Sequence, residues 1–366
     1  MPGLVAIART GPAFVESLER VWERGDAVLP VDPAAPSATT TRLLEVMAPT
    51  SFIGTDGEER RRDGRPVEDG DALVVATSGS TGEPKGVVHT HASLAASAAM
   101  VSSALDVGPT DRWLCCLPLT HVAGLAIVVR SRLAGIGLEV HDRFDADAVM
   151  DAARRGATLT SLVPTTLHRV DPSSFRLVLV GGAAPPATLP ANCRATYGLT
   201  ETGSAIVLDG VVLDGAEVRI VDGEIQVRGD MLLRCYRDDT DPRDADGWFP
   251  TADSGEFAVD GRLVVHGRRG DVIVTGGEKV WPAPVEAVLA SREDIVEVAV
   301  VGRPDDEWGA AVTAVVVATD PANPPTLDSL RDSVRAVLPV WCAPHRVEFV
   351  DALPRTRLGK VVRAAL

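Results

Sequence analysis

Two patterns of apolar residues follow one another along this chain, and together they limit the folds it can adopt. In the first 200 residues, strand-like runs alternate with helical stretches, as at 72–76, 91–105, 158–163 and 175–180. This alternation predicts an α/β core. From 205 to 266, apolar and polar residues alternate instead, with Asp-Gly pairs at 209–210, 214–215, 222–223 and 260–261. Asp-Gly suits the tight turns of β-hairpins, so this segment is predicted to be a run of hairpins.

The pattern changes again at the Gly-bracketed basic step GRRGD, residues 267–271. Two strand-like runs at 296–301 and 312–318 and an amphipathic helical stretch near 327–338 follow it. Since 366 residues exceed what one core usually fills, we expect two domains. The first, 1–268, would combine α/β layers with a hairpin-rich β subdomain, and the second, 269–366, would be a small α+β domain.

Charge and cysteine content exclude several classes of function. The chain has 36 Lys and Arg against 51 Asp and Glu, a net charge of −15, whereas nucleic-acid binders need a basic face. The five cysteines have no metal-ligand spacing, and an odd number does not suggest a disulfide framework.

The most apolar run, 114–129, is broken by Pro118, His121 and Gly124, and the N-terminus lacks a secretory pattern. We therefore expect a soluble, cytoplasmic protein without membrane insertion, and interpret the charge-dense stretch 54–71 as a surface loop.

The strongest local signal is TSGSTGEPKG at 77–86. Glycine lets the backbone approach a ligand closely, and backbone N–H groups, hydroxyls and an ammonium together suit a polyphosphate. The segment is not a Walker A loop, because Gly86 follows Lys85 where Ser or Thr should stand. Composition alone leaves two alternatives, a phosphate-binding loop and a flexible surface turn.

Lysine usage points to the same loop. Of the 36 basic residues only Lys85, Lys279 and Lys360 are lysines. An ammonium is a compact point charge with three rotatable donors, which arginine does not reproduce. These positions are candidates for sites that require an ammonium, and chance is the alternative.

Five motifs in order give this chain a recognisable pattern: TSGSTGEPKG, YGLTET at 197–202, GWFPTADSG at 247–255, GRRGDVIVTGG at 267–277 and PRTRLGK at 354–360. The pattern resembles the adenylate-forming superfamily of acyl- and aryl-CoA synthetases, adenylation domains and luciferases. The motifs span about three quarters of the chain. Each motif residue taken singly could be a surface or turn residue, and only the joint order favours a site.

The resemblance implies an ATP site. The residues that would surround the phosphates are Thr77, Ser78, Gly79, Ser80, Thr81, Gly82 and Lys85, with Lys85 as counter-charge. Tyr197 would pack on the adenine, and Gly181, Gly182 and Ala183 would line its other side. Thr200 would contact the α-phosphate and Glu201 would hold Mg²⁺, for which one carboxylate plus substrate phosphates is a usual arrangement. Asp253 would accept from the ribose hydroxyls, and Arg268 would contact the same sugar.

The resemblance also implies roles in the C-terminal part. Lys360 would bridge the substrate carboxylate and the α-phosphate during adenylation, stabilising charge that develops there. The C-terminal domain would then rotate about Gly270 and bring a loop with Gly277 and Lys279 beside the pantetheine chain of CoA. For Lys279 an exposed loop position is an equal alternative. One departure from the pattern is Ala252, where relatives usually have Gly.

The acid pocket is carried by LPLTHVAG at 117–124. His121 would lie near the substrate carboxylate, or would be a core histidine. Arg130, at the end of an apolar run, could bind a second carboxylate bidentately, or could face solvent at a helix end. Given the resemblance to the adenylate-forming superfamily, this cation and the short segment before the phosphate loop make the chain similar to the o-succinylbenzoate–CoA ligase family of menaquinone biosynthesis.

The sequence and the resemblance thus predict an AMP-forming acid–CoA ligase that acts through an acyl-adenylate and belongs to the o-succinylbenzoate–CoA ligase family. ATP, Mg²⁺ and coenzyme A would be its co-substrates and an aromatic or acyl carboxylic acid its partner. The alternatives are another aryl- or acyl-CoA ligase and a non-catalytic acyl- or nucleotide-binding protein. A homodimer stays open.

Overall fold

The computed structural model describes residues 1–78, 83–186, 188–354 and 361–366. The chain forms two compact units. The first comprises Met1–Arg219, Gln226–Pro250 and Val259–Leu263, and the second comprises Ile220–Ile225, Thr251–Ala258 and Val264–Leu366. The domain boundary that we expect after residue 268 stays a prediction.

The elements of the first 213 residues alternate as the α/β pattern predicts. The strands are β1 (Leu4–Ile7), β2 (Ala27–Pro30), β3 (Ser51–Gly54), β4 (Gly57–Arg60), β5 (Asp71–Ser78), β6 (Pro84–Thr90), β7 (Arg112–Cys115), β8 (Gly137–Val140), β9 (Leu159–Leu162), β10 (Leu177–Val180), β11 (Cys193–Gly198), β12 (Ala205–Leu208) and β13 (Val211–Val212). The helices are α1 (Gly11–Glu23), α2 (Ser37–Met47), α3 (His91–Ala104), α4 (Val122–Ala134), α5 (Ala146–Arg154) and α6 (Pro164–Leu167).

The hairpin-rich segment carries β14 (Glu217–Val221), β15 (Glu224–Arg228), β16 (Cys235–Tyr236), β17 (Phe249–Phe257) and β18 (Leu263–Arg268). At 209–210 and 222–223 both residues of the Asp-Gly pair have positive φ, as a two-residue type I′ turn requires. At 214–215 and 260–261 only the glycine does. The predicted hairpins are therefore confirmed, although their turns are of more than one kind.

Two seven-stranded sheets organise the first unit. One has the order β16-β6-β5-β2-β1-β3-β4 and the other the order β13-β12-β11-β10-β9-β7-β8. In the second sheet β8, β7, β9, β10 and β11 run parallel, and β12 is antiparallel to β11. The surface-loop interpretation of 54–71 is wrong at β4, which pairs with β3 as an exposed edge strand.

Both sheets share one hydrophobic core with helices α1, α3 and α4. Small residues dominate α3, and a capping box between Thr90 and Ser93 starts it. Helix α4 is buried continuously from Gly124 to Ser131. A helix that is apolar on all sides is expected to be buried in this way.

The second unit has its own core. Strands β19 (Ile273–Thr275) and β20 (Glu278–Val280) form a hairpin, and β21 (Ile295–Asp305), β22 (Gly309–Ala318) and β23 (Arg346–Phe349) form a sheet in that order. Helices α7 (Pro282–Ala290) and α8 (Leu327–Arg335) bury Val285, Leu289, Leu330 and Val334. The expected α+β class is confirmed for this part of the chain.

Within the described ranges, no helix is long and apolar enough to cross a membrane.

Candidate active site

Several predicted site residues meet at the carboxyl edge of the second sheet. Gly181 to Ala183 follow β10 directly, and Tyr197 lies near the end of β11, which pairs with β10 in parallel through Val180 and Ala195. The sheet changes from parallel to antiparallel at β11, beside β12. Open α/β sheets bind ligands outside the carboxyl ends of their parallel strands. The topology therefore places the predicted adenine-binding residues where a ligand site is expected.

Close backbone packing explains the glycines at this edge. A Cβ on Gly181 would lie 2.1 Å from Oγ1 of Thr196, and one on Gly198 would lie 2.1 Å from the carbonyl oxygen of Ser204. Gly182 has φ +80°, which side-chain-bearing residues rarely adopt. Gly181 can lie this close to β11, and Gly198 this close to the residue before β12, only because both lack a side chain.

A single 3₁₀ turn, Thr200–Thr202, holds Thr200, the predicted contact of the α-phosphate, and Glu201, the predicted Mg²⁺ ligand. Thr202 stabilises the turn from inside: its Oγ1 accepts from the N–H of Leu199 at 2.9 Å and donates to the carbonyl oxygen of Ser204 at 2.6 Å. The carbonyl oxygen of Glu201 accepts from the N–H of Leu233 at 2.8 Å. Thr200 and Glu201 thus belong to a turn fixed by its neighbours.

The predicted phosphate loop connects two antiparallel strands of the first sheet. Thr77 pairs with Lys85 and Ser78 with Pro84 in the β5–β6 register. Lys85 is exposed, and its Nζ lies 5.1 Å from the ring centroid of Tyr236. Gly79, Ser80, Thr81 and Gly82 lie outside the described residues, and their roles stay predictions.

Tyr236 links this lysine to the predicted metal ligand. Its hydroxyl donates to Oε1 of Glu201 at 3.0 Å. Sequence reasoning missed Tyr236, although the chain has only two tyrosines and the other, Tyr197, was assigned. It also missed His89, whose Nε2 donates to the carbonyl oxygen of Thr200 at 2.7 Å.

His121 is half-buried at the N-terminal end of α4, where its carbonyl oxygen accepts from the N–H of Leu125. The preceding loop packs tightly on the helix, since a Cβ on Gly124 would lie 2.6 Å from the carbonyl oxygen of Pro118. This packing fixes the position of His121, the residue that precedes the first turn of α4. Its predicted role at the substrate carboxylate stays a prediction.

Arg130 is buried within α4 and does not face solvent. The residue is 2% exposed, its Nη2 donates to Oγ of Ser204, and its guanidinium lies 5.7 Å from the ring centroid of Trp113. Its Nε is buried without a hydrogen-bond partner, and no carboxylate among the described residues pairs with it. Burial lowers the pKa of Arg130 to about 10, so the side chain remains a cation at neutral pH.

A small cavity adjoins this guanidinium. It is lined by Ser97 and Ala98 of α3, Ala126 and Arg130 of α4, and Gly203. The hydroxyl of Ser97 is also buried without a partner in the described part of the chain. A buried cation and an unsatisfied hydroxyl favour an anionic partner, although the cavity, at about 10 Å³, has room for about one water molecule.

The second unit joins the two predicted ribose-binding residues. Nε of Arg268 lies 3.1 Å from Oδ1 of Asp253, and its Nη1 donates to the carbonyl oxygen of Thr251 at 2.8 Å. Asp253 is 6% exposed. Ala252 has φ +59°, a left-handed conformation that glycine adopts without the steric cost of a Cβ. The departure noticed in the sequence therefore falls on a backbone position that favours Gly.

Gly277 and Lys279 lie in the β19–β20 hairpin of the second unit. Gly276 and Gly277 have φ +56° and +88°, and Lys279 pairs with Val274. The Lys279 side chain is exposed, as one of the two sequence interpretations has it. Gly270 has ordinary φ and open space around its Cβ position, so its backbone does not require glycine. Lys360 lies outside the described residues.

The metal donors fit Mg²⁺ only in combination with substrate. Among the described residues, no group of three or more His, Cys, Asp or Glu side chains could hold a metal ion. Glu201 offers a single carboxylate, held by Tyr236. Mg²⁺ commonly takes one or two carboxylates plus substrate phosphates, so this donor set suits a metal that arrives with a nucleotide.

Comparison with known proteins defines the class to which this arrangement belongs. The AMP-binding enzyme model matches residues 56–237, and the model of the AMP-binding enzyme C-terminal domain matches residues 284–360. The chain belongs to the family of AMP-binding enzymes.

Within that family the similarity is more specific. A probable 2-succinylbenzoate–CoA ligase of Mycobacterium tuberculosis is 41% identical over 331 residues, which cover 83% of this chain and 86% of the relative. The o-succinylbenzoate CoA synthetase of Bacillus subtilis, in complex with the acyl-adenylate intermediate OSB-AMP, has a TM-score of 0.87 at 27% identity, covering 99% of this chain and 87% of that chain. Its structure with ATP and magnesium ion has a TM-score of 0.86 at 27% identity, covering 99% and 89%.

Proposed function

We propose that this protein is an ATP- and CoA-dependent acid–thiol ligase that forms o-succinylbenzoyl-CoA through an acyl-adenylate. Membership of the AMP-binding enzyme family supports the reaction class. The 41% identity to a probable 2-succinylbenzoate–CoA ligase supports the acid. The proposal therefore keeps the CoA ligase reaction predicted from the sequence and names o-succinylbenzoate as its acid.

The observation that carries the choice of acid is that Arg130 is buried and pairs with no carboxylate among the residues that the structure describes. Removing a charge from water without a partner is costly, so such a group is usually paired in the working state. A guanidinium can bind a carboxylate through two parallel N–H···O bonds. We assign Arg130 to the second carboxylate of the dicarboxylic acid, with Ser97 as a further donor beside the same cavity.

The first half-reaction transfers AMP to the acid. An oxygen of the substrate carboxylate forms a bond to the α-phosphorus, and the bond from that phosphorus to pyrophosphate breaks. Lys85 provides positive charge near the phosphates, Thr200 donates to the α-phosphate, and Glu201 provides the carboxylate for Mg²⁺. Mg²⁺ held by Glu201 would supply positive charge that offsets the charge of the phosphates. Lys360 would bridge the substrate carboxylate and the α-phosphate.

The second half-reaction transfers the acyl group to CoA. The thiolate sulfur bonds to the acyl carbon and AMP leaves with the electron pair of the broken bond. In the proposed assignment His121 lies at the acyl carbon and the thiol entrance. Gly277 and Lys279 line the pantetheine side, and Asp253 with Arg268 binds the ribose of the nucleotide.

A panel of acids assayed for pyrophosphate release from Mg·ATP tests this function. We expect release that depends on acid and is fastest with o-succinylbenzoate. Release with monocarboxylic acids only would contradict the assigned substrate and favour another aryl- or acyl-CoA ligase. Absence of release with every acid would contradict the enzymatic function and favour a nucleotide- or acyl-binding protein. The cytoplasmic location and a homodimer stay predictions.

A further inference from the structure

We propose that Tyr236 is a positioning residue that orients the Glu201 carboxylate for Mg²⁺ and holds Lys85 on the phosphate side of the same site. This inference rests on the proposed function, which makes Glu201 the metal ligand. No motif used above includes Tyr236. Its role follows from where its ring and hydroxyl lie.

The two ends of the Tyr236 side chain contact two proposed phosphate-site residues. The hydroxyl donates to Oε1 of Glu201 at 3.0 Å, and Nζ of Lys85 lies 5.1 Å from the ring centroid. A carboxylate can only accept, so the phenol proton fixes one oxygen of Glu201. A hydrogen bond to an ionised acceptor is among the stronger kinds. The cation lies within the distance at which an aromatic ring attracts it.

Tyr236 itself is held rigidly by its place in the sheet. Cys235 and Tyr236 pair with Val88 and Val87 as an added strand on β6. On one side of the pair, Arg234 makes a bidentate ion pair with buried Asp71, with N–O distances of 2.8 and 2.9 Å. A side chain that supports a metal ligand is effective when its own position is locked in this manner.

On the other side, Arg237 is 6% exposed and donates to three backbone carbonyl oxygens, those of Met47, Pro66 and Arg65. A buried guanidinium satisfied by backbone acceptors fixes the strand and contributes no charge partner to Glu201. Arg234 and Arg237, which flank strand β16, therefore anchor the strand that carries Tyr236 at both of its ends.

The same segment also fixes the main chain of Glu201. The N–H of Leu233 donates to the Glu201 carbonyl oxygen at 2.8 Å. Glu201 is consequently held at its backbone by Leu233 and at its carboxylate by Tyr236. Partners that orient a metal ligand in this way typically change metal affinity by 10- to 100-fold when removed.

The test is Tyr236→Phe, which removes the hydroxyl and keeps the ring beside Lys85. We expect the Mg²⁺ concentration for half-maximal acid-dependent pyrophosphate release to rise about 10-fold. Thioester formation from supplied acyl-adenylate, which needs no phosphate-bound metal, should keep the wild-type rate. Unchanged Mg²⁺ dependence would overturn the proposal, and so would an equal loss in both half-reactions, because a structural role alone would impair both.

Arg65→Ala provides the matched control. It removes an exposed ion pair with Asp239 at 2.9 Å, close to Tyr236 in the chain, and leaves the Arg65 carbonyl in place. This variant should keep the wild-type Mg²⁺ dependence. A shift as large as that of Tyr236→Phe would overturn the assignment to the Tyr236 hydroxyl.

Calorimetric titration with a non-hydrolysable ATP analogue, with and without Mg²⁺, separates this inference from the proposed function. We expect Tyr236→Phe to weaken binding about 10-fold with Mg²⁺ and hardly at all without it. If Tyr236→Phe gave that result while the wild-type protein released no pyrophosphate, the role of Tyr236 would be supported and the ligase activity would be contradicted. Equal weakening under both conditions would overturn the role of Tyr236.

Discussion

Nε2 of His89 lies 2.7 Å from the carbonyl oxygen of Thr200 in the interior of the first unit. A carbonyl only accepts, so Nε2 of the neutral ring carries the proton, and Nδ1 lies 3.1 Å from Oγ of Ser93. Burial lowers the pKa of His89 to about 4, despite the opposing effect of the hydrogen bond to Thr200. The neutral histidine therefore fixes the turn that carries Thr200 and Glu201.

This relationship predicts a pH dependence of stability. An unfolded histidine has a pKa of about 6.5, so between about pH 6.5 and 4 the unfolded chain binds a proton that the folded chain does not. The His89 contribution is complete above pH 6.5 and is lost as the pH falls toward 4. From pH 7 to 4.5 the loss should reach about 2 kcal/mol.

Urea unfolding of wild type and His89→Gln at both pH values measures this contribution. Glutamine can keep a donor toward Thr200 and does not titrate, so the carboxylates common to both proteins cancel in the comparison. We expect the wild type to lose more unfolding free energy than the variant. Equal losses would contradict the prediction, because they would mean that protonation of His89 does not change the free energy of unfolding.

Arg130 should show opposite effects on stability and on substrate use. Arg130→Met removes a buried charge that pairs with no carboxylate in the described part of the chain, and it keeps much of the apolar volume. We expect its unfolding free energy to be unchanged or up to about 2 kcal/mol higher. The KM for o-succinylbenzoate should rise by about 100-fold, since about 3 kcal/mol is typical for a hydrogen-bonded charge pair.

Benzoate, if it is turned over, serves as the substrate control because it lacks the second carboxylate. Its KM should change far less than that of the dicarboxylate. Equal increases for both acids would remove Arg130 from the pocket. A loss of several kcal/mol of stability would instead assign it a structural role in α4.

Ala252→Gly should stabilise the protein. Ala252 has φ +59°, where an L-residue pays a steric cost that glycine does not. We expect the free energy of unfolding to rise by about 1 kcal/mol. Ala99→Gly is the matched control, since Ala99 is exposed within α3 and should lose about 1 kcal/mol. Destabilisation by both substitutions to a similar extent would contradict the strain at Ala252.

Lys360 provides a test of the two half-reactions. Lys360→Ala should lower pyrophosphate release by at least about 100-fold, because an ammonium that stabilises developing phosphate charge is lost. Thioester formation from supplied acyl-adenylate should be largely spared. Lys360→Arg keeps the charge and indicates whether a compact ammonium is needed. Equal impairment of both steps by Lys360→Ala would refute its assignment to adenylation.

The sequence could predict the elements whose signals are local. Asp-Gly pairs indicate hairpins because Asp and Gly tolerate positive φ, and Asp209-Gly210 and Asp222-Gly223 have it. The alternating runs predict parallel strands because crossover helices separate them. Strand β4 was missed because an exposed edge strand lacks the apolar alternation on which strand prediction depends.

The site was predictable only in part, because the positions of two of its residues depend on packing and on strand pairing between distant segments. Arg130 at the end of an apolar run fits both a buried and a solvent-facing position, and only the packing of α4 decides. Tyr236 lies on the two-residue strand β16, which pairs with β6 across about 150 positions of sequence. No local pattern encodes such a pairing, so its contacts with Glu201 and Lys85 emerge only in three dimensions.

The most direct test of the account is a rapid-quench experiment with Mg·ATP and o-succinylbenzoate in the absence of CoA. We predict that enzyme-bound o-succinylbenzoyl-AMP accumulates with one equivalent of pyrophosphate, and that added CoA converts it to the thioester with release of AMP. Formation of the thioester with ADP and phosphate as products, or no adenylate with this acid while another acid gives one, would contradict it.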